Sequence, residues 1–158
     1  MTWKRILVGI DDSPEAASAA ALADRLARAL RAECLPVHAT REFWIPFMEE
    51  ELVDRVAELR LAVIDAARQR MAAALQTHAP PEMIRRLIVR IGRAAVVLRE
   101  VARETGADVI VLGGKHHSRL DRWAGGSTSH DVVRSVGLPV IVAAHGTDQL
   151  FRRLLVAG

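Results

Sequence analysis

Short apolar runs alternate along this chain with longer segments in which apolar residues recur every three or four positions. The short runs are typical of strands buried on both faces, and the longer segments are typical of amphipathic helices. The predicted strands are Arg5–Ile10, Glu33–Ala39, Met83–Ile91, Asp108–Leu112 and Pro139–Ala144. The predicted helices are Ala16–Arg31, Phe47–His78, Ala94–Thr105 and Thr128–Val136. This alternation predicts an α/β fold, an open five-stranded parallel sheet with helices on both faces.

Three of the predicted helices have an expected buried side. In the first helix, which Ser13 caps and Pro14 opens, this side is a stripe spaced by four residues: Leu22, Leu26 and Leu30. In the second helix it consists of Leu52, Val56, Leu59, Val63, Ala66, Ala67, Met71 and Leu75. In the third helix it consists of Val97, Leu98, Val101 and Ala102, and Gly106 ends that helix. Pro36 fits the second predicted strand best near its start, because proline lacks the N–H of a sheet ladder.

Composition narrows the functional classes. The chain has 158 residues, which is the size of one domain, and its net charge of +3 without basic runs does not indicate nucleic-acid binding. The single cysteine, Cys34, excludes an intramolecular disulfide and a cysteine-based metal site, and we interpret it as a buried structural thiol. The apolar runs are too short to cross a bilayer and no signal peptide is indicated, so we expect a soluble, cytoplasmic protein.

The stretch Val109–Ser129 has the pattern of an anion site. A buried strand ends at Gly113-Gly114, a basic loop containing Lys115 follows, and Gly125-Gly126-Ser127-Thr128 can open a helix. Glycines permit close backbone approach, and free N–H groups at a helix start attract phosphate oxygens. The same residues also fit a simple turn in which Ser127 or Thr128 only caps the helix, and the loop by itself leaves both interpretations open.

Asp11 is the candidate residue on the other side of this site, across from the Val109–Ser129 stretch. Ligands of open parallel sheets bind at the carboxyl ends of the strands, where the strand order reverses. If the order is 3-2-1-4-5, Asp11 after the first strand faces the loop after the fourth. A carboxylate there can accept hydrogen bonds from ribose hydroxyls. The alternation of elements does not fix the order.

Metal and catalytic sites are weakly indicated. His116 and His117 are adjacent and point in different directions, and no cysteine or acid triad supports them, so polar loop residues are favoured over metal ligands. Ser127 lacks the surroundings of a nucleophile elbow, and the Walker lysine motif and a dinucleotide glycine fingerprint are absent. We therefore predict no enzyme activity beyond, at most, a slow ATPase.

Three segments together resemble the universal stress protein family: ILVGIDDS at residues 6–13, ETGADVIVLG at 104–113 and GGSTSHDVVRSVGLPVIV at 125–142. The resemblance extends over residues 4–144. It implies the sheet order 3-2-1-4-5, a Rossmann-like adenine-nucleotide fold and a homodimer through Pro139–Ala144. The expected domain is residues 1–145, and residues 146–158 form a C-terminal tail.

Nucleotide-binding members of that family carry the signature G-x-x-G-x(9)-G-[ST]. Gly113 matches its first glycine and Gly126-Ser127 its closing pair, whereas His116 replaces the middle glycine. By resemblance, the residues that would bind ATP are Asp11 at ribose, Val37 and Ala39 at adenine, and Gly113, Gly126, Ser127 and Thr128 at ribose and phosphates. Lys115 supplies a further cation. A side chain at His116 would either crowd the phosphate or donate a hydrogen bond to it.

The resulting hypothesis is a dimeric stress-response protein that binds ATP or another adenine nucleotide. The bound nucleotide sets a loop conformation that a protein partner recognises. We expect no binding to nucleic acid or to a membrane. One alternative is a nucleotide-free dimeric interaction module of the same family. Another is a slow nucleotide hydrolase.

Overall fold

A computed structural model describes residues 2–40, 53–114, 132, 134–144 and 146. Its strands are β1 (Arg5–Gly9), β2 (Glu33–Thr40), β3 (Ile88–Ile91), β4 (Val109–Gly113) and β5 (Val140–Ala143). Its helices are α1 (Pro14–Leu30), α2 (Val53–Leu75), α3 (Pro81–Ile84) and α4 (Ala94–Thr105). All four strand pairs are parallel and the order is β3-β2-β1-β4-β5. The predicted fold and the strand order are confirmed.

Two cores lie on opposite faces of the sheet. The first contains β1 residues Ile6 and Val8, and helices α1, α2 and α3 cover it. The second contains Leu7 of β1 and is covered by α4 and by Val132. Adjacent residues of β1 thus enter different cores, which explains why its sequence is apolar at successive positions.

The start of α1 follows the capping prediction. Ser13 has extended backbone angles, and its Oγ accepts a hydrogen bond from the Ala16 N–H at 3.1 Å. Pro14 occupies the first turn, where its missing N–H would have had no helical partner. The helix therefore begins at a position fixed by sequence, directly after β1.

The buried face of α1 differs from the predicted leucine stripe. Leu22 is buried, whereas Leu30 is 36% exposed. The residues that contact the sheet are mostly alanines: Ala16, Ala19, Ala20, Ala23 and Ala27. Small side chains allow the helix axis to approach the strands closely, so the alanines rather than Leu30 set this interface.

Helix α2 also buries less than its periodicity predicts. Its buried residues Ala67, Met71 and Leu75 lie towards its end and Ile64 packs against them partly buried, whereas Leu59 is 46% exposed and Ala66 is exposed. Leu52 and the predicted start Phe47 lie outside the described residues, and the helix ends at Leu75 rather than His78.

The predicted strand Met83–Ile91 is wrong over its first half. Pro81–Ile84 forms α3, in which Met83 N–H donates to the Pro80 carbonyl at 3.0 Å, and β3 begins only at Ile88. The cause is Pro81, whose fixed φ suits the first turn of a helix better than a strand.

Pro36 lies within β2 rather than near its start. Pairing of β2 with β3 begins at Val37, so Pro36 lies outside that ladder.

Two further predictions concern the remaining helices. The buried side of α4 is confirmed as Val97, Leu98, Val101 and Ala102, and Gly106 caps that helix with φ 63°. Of the predicted helix Thr128–Val136, the structure describes Val132, Arg134 and Ser135 as helical. None of the helices within the described ranges has the length and apolar content needed to cross a bilayer.

Candidate nucleotide site at the carboxyl edge of the sheet

The carboxyl ends of β1 and β4 lie side by side. Val8 of β1 pairs with Val111 of β4, so Asp11, two residues after β1, and Gly113, the last residue of β4, lie at neighbouring strand ends. The connection from β1 passes through α1 on one face, and the connection into β4 passes through α4 on the other. The order of the strands therefore reverses here, which is where open α/β sheets form a ligand crevice.

Asp11 is held in a tight turn with Ser13. Its Oδ1 accepts hydrogen bonds from Ser13 N–H at 2.9 Å and from Ser13 Oγ. Its Oδ2 makes no hydrogen bond to the residues that the structure describes, and the side chain is exposed. One oxygen thus fixes the orientation of the carboxylate, and the other can accept from a ligand.

Three acids surround the start of α1. Asp11 and Asp12 precede the helix, and Glu15 lies in its first turn. The partial positive charge at a helix N-terminus stabilises such acids. Because they would repel a phosphate at this end, the chemistry of the α1 start suits neutral donors such as ribose hydroxyls.

Gly113 is required by the packing of β4 against α1, a role that the sequence did not predict. A Cβ at this position would lie 2.5 Å from the carbonyl carbon of Glu15 and 2.7 Å from the nitrogen of Ala16. Those are backbone atoms of the first turn of α1 and cannot rotate away. Gly113 therefore permits α1 to lie directly against the end of β4, whatever the loop beyond it binds.

Gly114 is equally enclosed, but by a side chain. Its N–H donates to the Ala143 carbonyl at 2.8 Å, and a Cβ would lie 2.4 Å from Cγ1 of Val142. The two glycines thus place the end of β4 between α1 and β5.

The two residues predicted for the adenine pocket differ in exposure. Val37 is 1% exposed, packs into the core beneath α4, and its carbonyl accepts from Ile10 N–H at 2.8 Å. Ala39, two residues further, is half-buried on the same side of β2. Ala39 is therefore accessible at this edge of the sheet, whereas Val37 is buried in the core that Ala39 packs against.

His38 is a residue that the sequence interpretation missed. It lies between these two on β2, is 6% exposed, and its Nδ1 is 2.7 Å from the Ile10 carbonyl oxygen. Its Nε2 is buried and has no partner within the described part of the chain. A lone histidine inside an otherwise apolar strand was the available signal.

The remaining predicted site residues lie outside the described residues: Lys115, His116, Gly126, Ser127 and Thr128. The adjacent histidines His116 and His117, which the sequence favours as polar loop residues over metal ligands, lie there too. In the ranges that the structure does describe, no three histidine, cysteine or acidic side chains are grouped as metal ligands would be.

Other titratable groups serve the framework. Burial raises the pKa of the Cys34 thiol to about 12, with a smaller contribution from the charge of Asp24, and so keeps the thiol protonated. At the opposite edge of the sheet, Asp108 Oδ2 accepts from the N–H groups of Lys4 at 2.7 Å and Arg5 at 2.9 Å. These bonds hold the pKa of that carboxyl below its usual value.

Solved structures of similar shape share this architecture. One is a protein of the universal stress protein family from Burkholderia pseudomallei, at 30% identity over 89% of this chain and 95% of that chain, with a TM-score of 0.51. A second is universal stress protein UspA from Lactobacillus plantarum, at 25% identity over 90% and 99%, with a TM-score of 0.57. A third is a universal stress protein in complex with cAMP, at 22% identity over 92% and 99%, with a TM-score of 0.58.

Among curated proteins, none matches this chain significantly. The model of the universal stress protein family matches residues 2–144, nearly the whole chain. Together with the strand order and the arrangement of its carboxyl edge, this match shows that the chain belongs to the universal stress protein family.

Proposed function

We propose that this protein binds an adenine nucleotide in the crevice between β1 and β4 and acts by binding rather than by turnover. One observation carries the proposal: Asp11 presents a carboxylate oriented by Ser13 at the end of β1, beside the end of β4. ATP is the ligand we would test first. The cAMP complex of a related protein supports an adenine nucleotide in this fold.

The proposed roles follow the chemistry of each position. Asp11 accepts hydrogen bonds from the ribose, because the acids at the α1 start disfavour phosphate there. Ala39 contacts the adenine, and Val37 supports that contact from the core. The loop after Gly113 binds the phosphates through Lys115, His116, Gly126, Ser127 and Thr128. Its conformation when nucleotide is bound is what a protein partner recognises.

The first experiment asks whether nucleotide is bound. The purified protein is denatured, the supernatant is chromatographed, and nucleotide-free protein is titrated calorimetrically with ATP. We expect adenine nucleotide in the supernatant or heat of binding on titration. If neither is observed, the nucleotide-free interaction module becomes the better description.

The second experiment assigns Asp11. Asp11→Asn replaces the carboxylate that accepts from ribose with a neutral amide. Loss of a charge-assisted hydrogen bond should weaken ATP binding by about 10- to 100-fold. Asp12→Asn, which removes the same charge one residue further along, is the matched control and should change binding little. With 3′-deoxy or 2′-deoxy ATP the effect of Asp11→Asn should shrink, because one ribose hydroxyl is then missing. Equal losses in both variants would mean that Asp11 acts only through general charge.

The dimer is part of the same proposal, and β5 is the surface that supports it. Within the described residues β5 pairs only with β4, and Val142 on it is 50% exposed. An unpaired, apolar strand edge favours pairing with a second copy of the chain. Val142→Arg should convert a dimer to a monomer in light scattering, whereas Leu61→Arg, at a 64% exposed position of α2, should not. A monomeric wild-type protein would refute this part.

Slow hydrolysis is the alternative that the same nucleotide site would allow. It is tested with Asp11→Ala and Ser127→Ala. ATP hydrolysis that persists in both variants would come from another source than this site.

A further inference from the structure

The two nitrogens of His38 have opposite environments. Nδ1 lies 2.7 Å from the carbonyl oxygen of Ile10, which can only accept a hydrogen bond. The ring proton of the neutral imidazole is therefore on Nδ1. Nε2 is then a bare acceptor, and it is buried without a partner among the described residues.

Burial of that bare nitrogen does not favour the fold. A polar atom that is removed from water without a hydrogen bond destabilises the folded state, and a leucine would fill an apolar position without this penalty. His38 lies on β2, between β3 and β1, and is paired in register with Val89 of β3. What the imidazole adds there, and leucine cannot, is the hydrogen bond to Ile10.

That hydrogen bond completes a clamp on the residue before Asp11. The Ile10 N–H donates to the Val37 carbonyl at 2.8 Å, and the Ile10 carbonyl accepts from His38. Two consecutive residues of β2 thus fix both peptide groups of Ile10. Because the Ile10 carbonyl and the Asp11 nitrogen belong to one planar peptide unit, the His38 bond sets the direction in which the chain enters the Asp11–Ser13 turn.

We propose that His38 is a positioning residue for Asp11, acting through the Ile10 carbonyl to hold the ribose-binding carboxylate in place. The inference rests on the proposed role of Asp11 in nucleotide binding. Binding groups need support from a second layer of hydrogen bonds, because a displacement of about 1 Å is enough to lose a well-formed contact.

Two substitutions at His38 separate positioning from packing. His38→Leu fills the site but cannot donate. In His38→Asn the amide nitrogen is as many bonds from the backbone as Nδ1 and can donate to Ile10. We expect His38→Leu to weaken ATP binding about fivefold, the equivalent of one neutral hydrogen bond, and His38→Asn to change it less than about twofold.

Unfolding in urea supplies the control for simple destabilisation. Asparagine is smaller than either residue and leaves space in the core, so His38→Asn should be no more stable than His38→Leu. Positioning is supported if ATP affinity is kept in the variant that retains the side-chain donor, whichever variant is the more stable in urea. Affinity that falls in step with stability in both variants overturns it.

A double-mutant cycle shows whether His38 acts through Asp11. In the Asp11→Ala background, His38→Leu should have little further effect on ATP affinity, because the group being positioned is gone. Additive losses would overturn the proposal.

The NMR shift of the Ile10 carbonyl carbon in the nucleotide-free protein separates failure of this inference from failure of the proposed function. Because the His38 bond is made to this carbonyl, the shift should change in His38→Leu and stay near the wild-type value in His38→Asn. The same shift in all three proteins refutes the clamp even if ATP binds. A wild-type protein that shows the clamp but binds no ATP refutes the nucleotide proposal and, with it, the role of the clamp in binding.

Discussion

Gly113 and Glu15 approach each other so closely that no side chain fits between them: a Cβ on Gly113 would lie 2.5 Å from the Glu15 carbonyl carbon. The contact joins the end of β4 to the first turn of α1, the helix that follows Asp11. Gly113 matches the first glycine of the nucleotide-binding signature, and the packing of the fold also requires a glycine there. Stability and ligand binding must be measured separately at this position.

Gly113→Ala should lower the free energy of unfolding by about 1–3 kcal/mol, because the added methyl group forces backbone to move. Urea denaturation measures the change. Gly137→Ala is the matched control: no described residue lies within 4 Å of a Cβ built there, and its φ of +68° makes alanine unfavourable by about 1 kcal/mol. A smaller loss at Gly113 than at Gly137 would contradict the close contact.

Ser13→Ala should destabilise the protein by about 1 kcal/mol, since it removes the side-chain cap of α1 at the Ala16 N–H. Ser13→Thr keeps the hydroxyl and should retain most of the stability. Thermal or urea unfolding of the pair checks this. If Thr and Ala were equally destabilising, the cap would not be the cause.

Cys34 should not react with thiol reagents in the folded protein. Burial raises its pKa to about 12, so at pH 8 nearly all of the thiol is protonated, and the reagent cannot reach it. A disulfide-exchange dye at pH 8 should label the native chain slowly and the urea-unfolded chain at once. Rapid stoichiometric labelling of native protein would show that the thiol is accessible.

Asp108 should stabilise the fold at neutral pH and lose that effect in acid. Its pKa is lower in the folded chain than in the unfolded chain because it accepts from the N–H groups of Lys4 and Arg5. The contribution is therefore complete above the unfolded pKa, about 4, and is lost as the pH falls through the lower folded value. Asp108→Asn should lower the urea midpoint at pH 7, and the difference from wild type should narrow below pH 4. Asp65→Asn, at an exposed position of α2, should show neither effect.

His38 should carry its ring proton on Nδ1 at pH 8. The Ile10 carbonyl at 2.7 Å requires a donor there. Nitrogen NMR of the imidazole distinguishes the two neutral tautomers directly. A proton on Nε2 would contradict the geometry and remove the basis of the clamp.

The sequence predicted most elements because their signals are local. Ser13 and Pro14 fix the start of α1, and Gly106 fixes the end of α4, within one turn of the chain. The prediction failed at Met83–Ile91, where a proline-led helical turn took the place of half a strand. It also failed at Leu30 and Ala66, because regular spacing shows which side a helix could bury but not how far the sheet beneath it extends.

The candidate site divides in the same way. Asp11 and Gly113 could be identified from the chain because each follows an apolar run, and the family resemblance added Val37 and Ala39. His38 stood out in the sequence only as a lone histidine in an apolar strand, and its role could not be predicted, since that role arises from a contact with Ile10, 28 positions away. The different roles of Val37 and Ala39 likewise appear only when their exposure is known.

By itself, then, the sequence determined the alternation of strands and helices, the capped start of α1 and the candidate residues at the strand ends, since hydrophobic periodicity and capping act over a few residues. The tertiary structure decided which strands are neighbours, that Gly113 lies against Glu15, and that His38 contacts the carbonyl oxygen of Ile10, the residue before Asp11. These relationships join parts of the chain that are distant in sequence, and they arise only when the two cores pack on either side of the sheet.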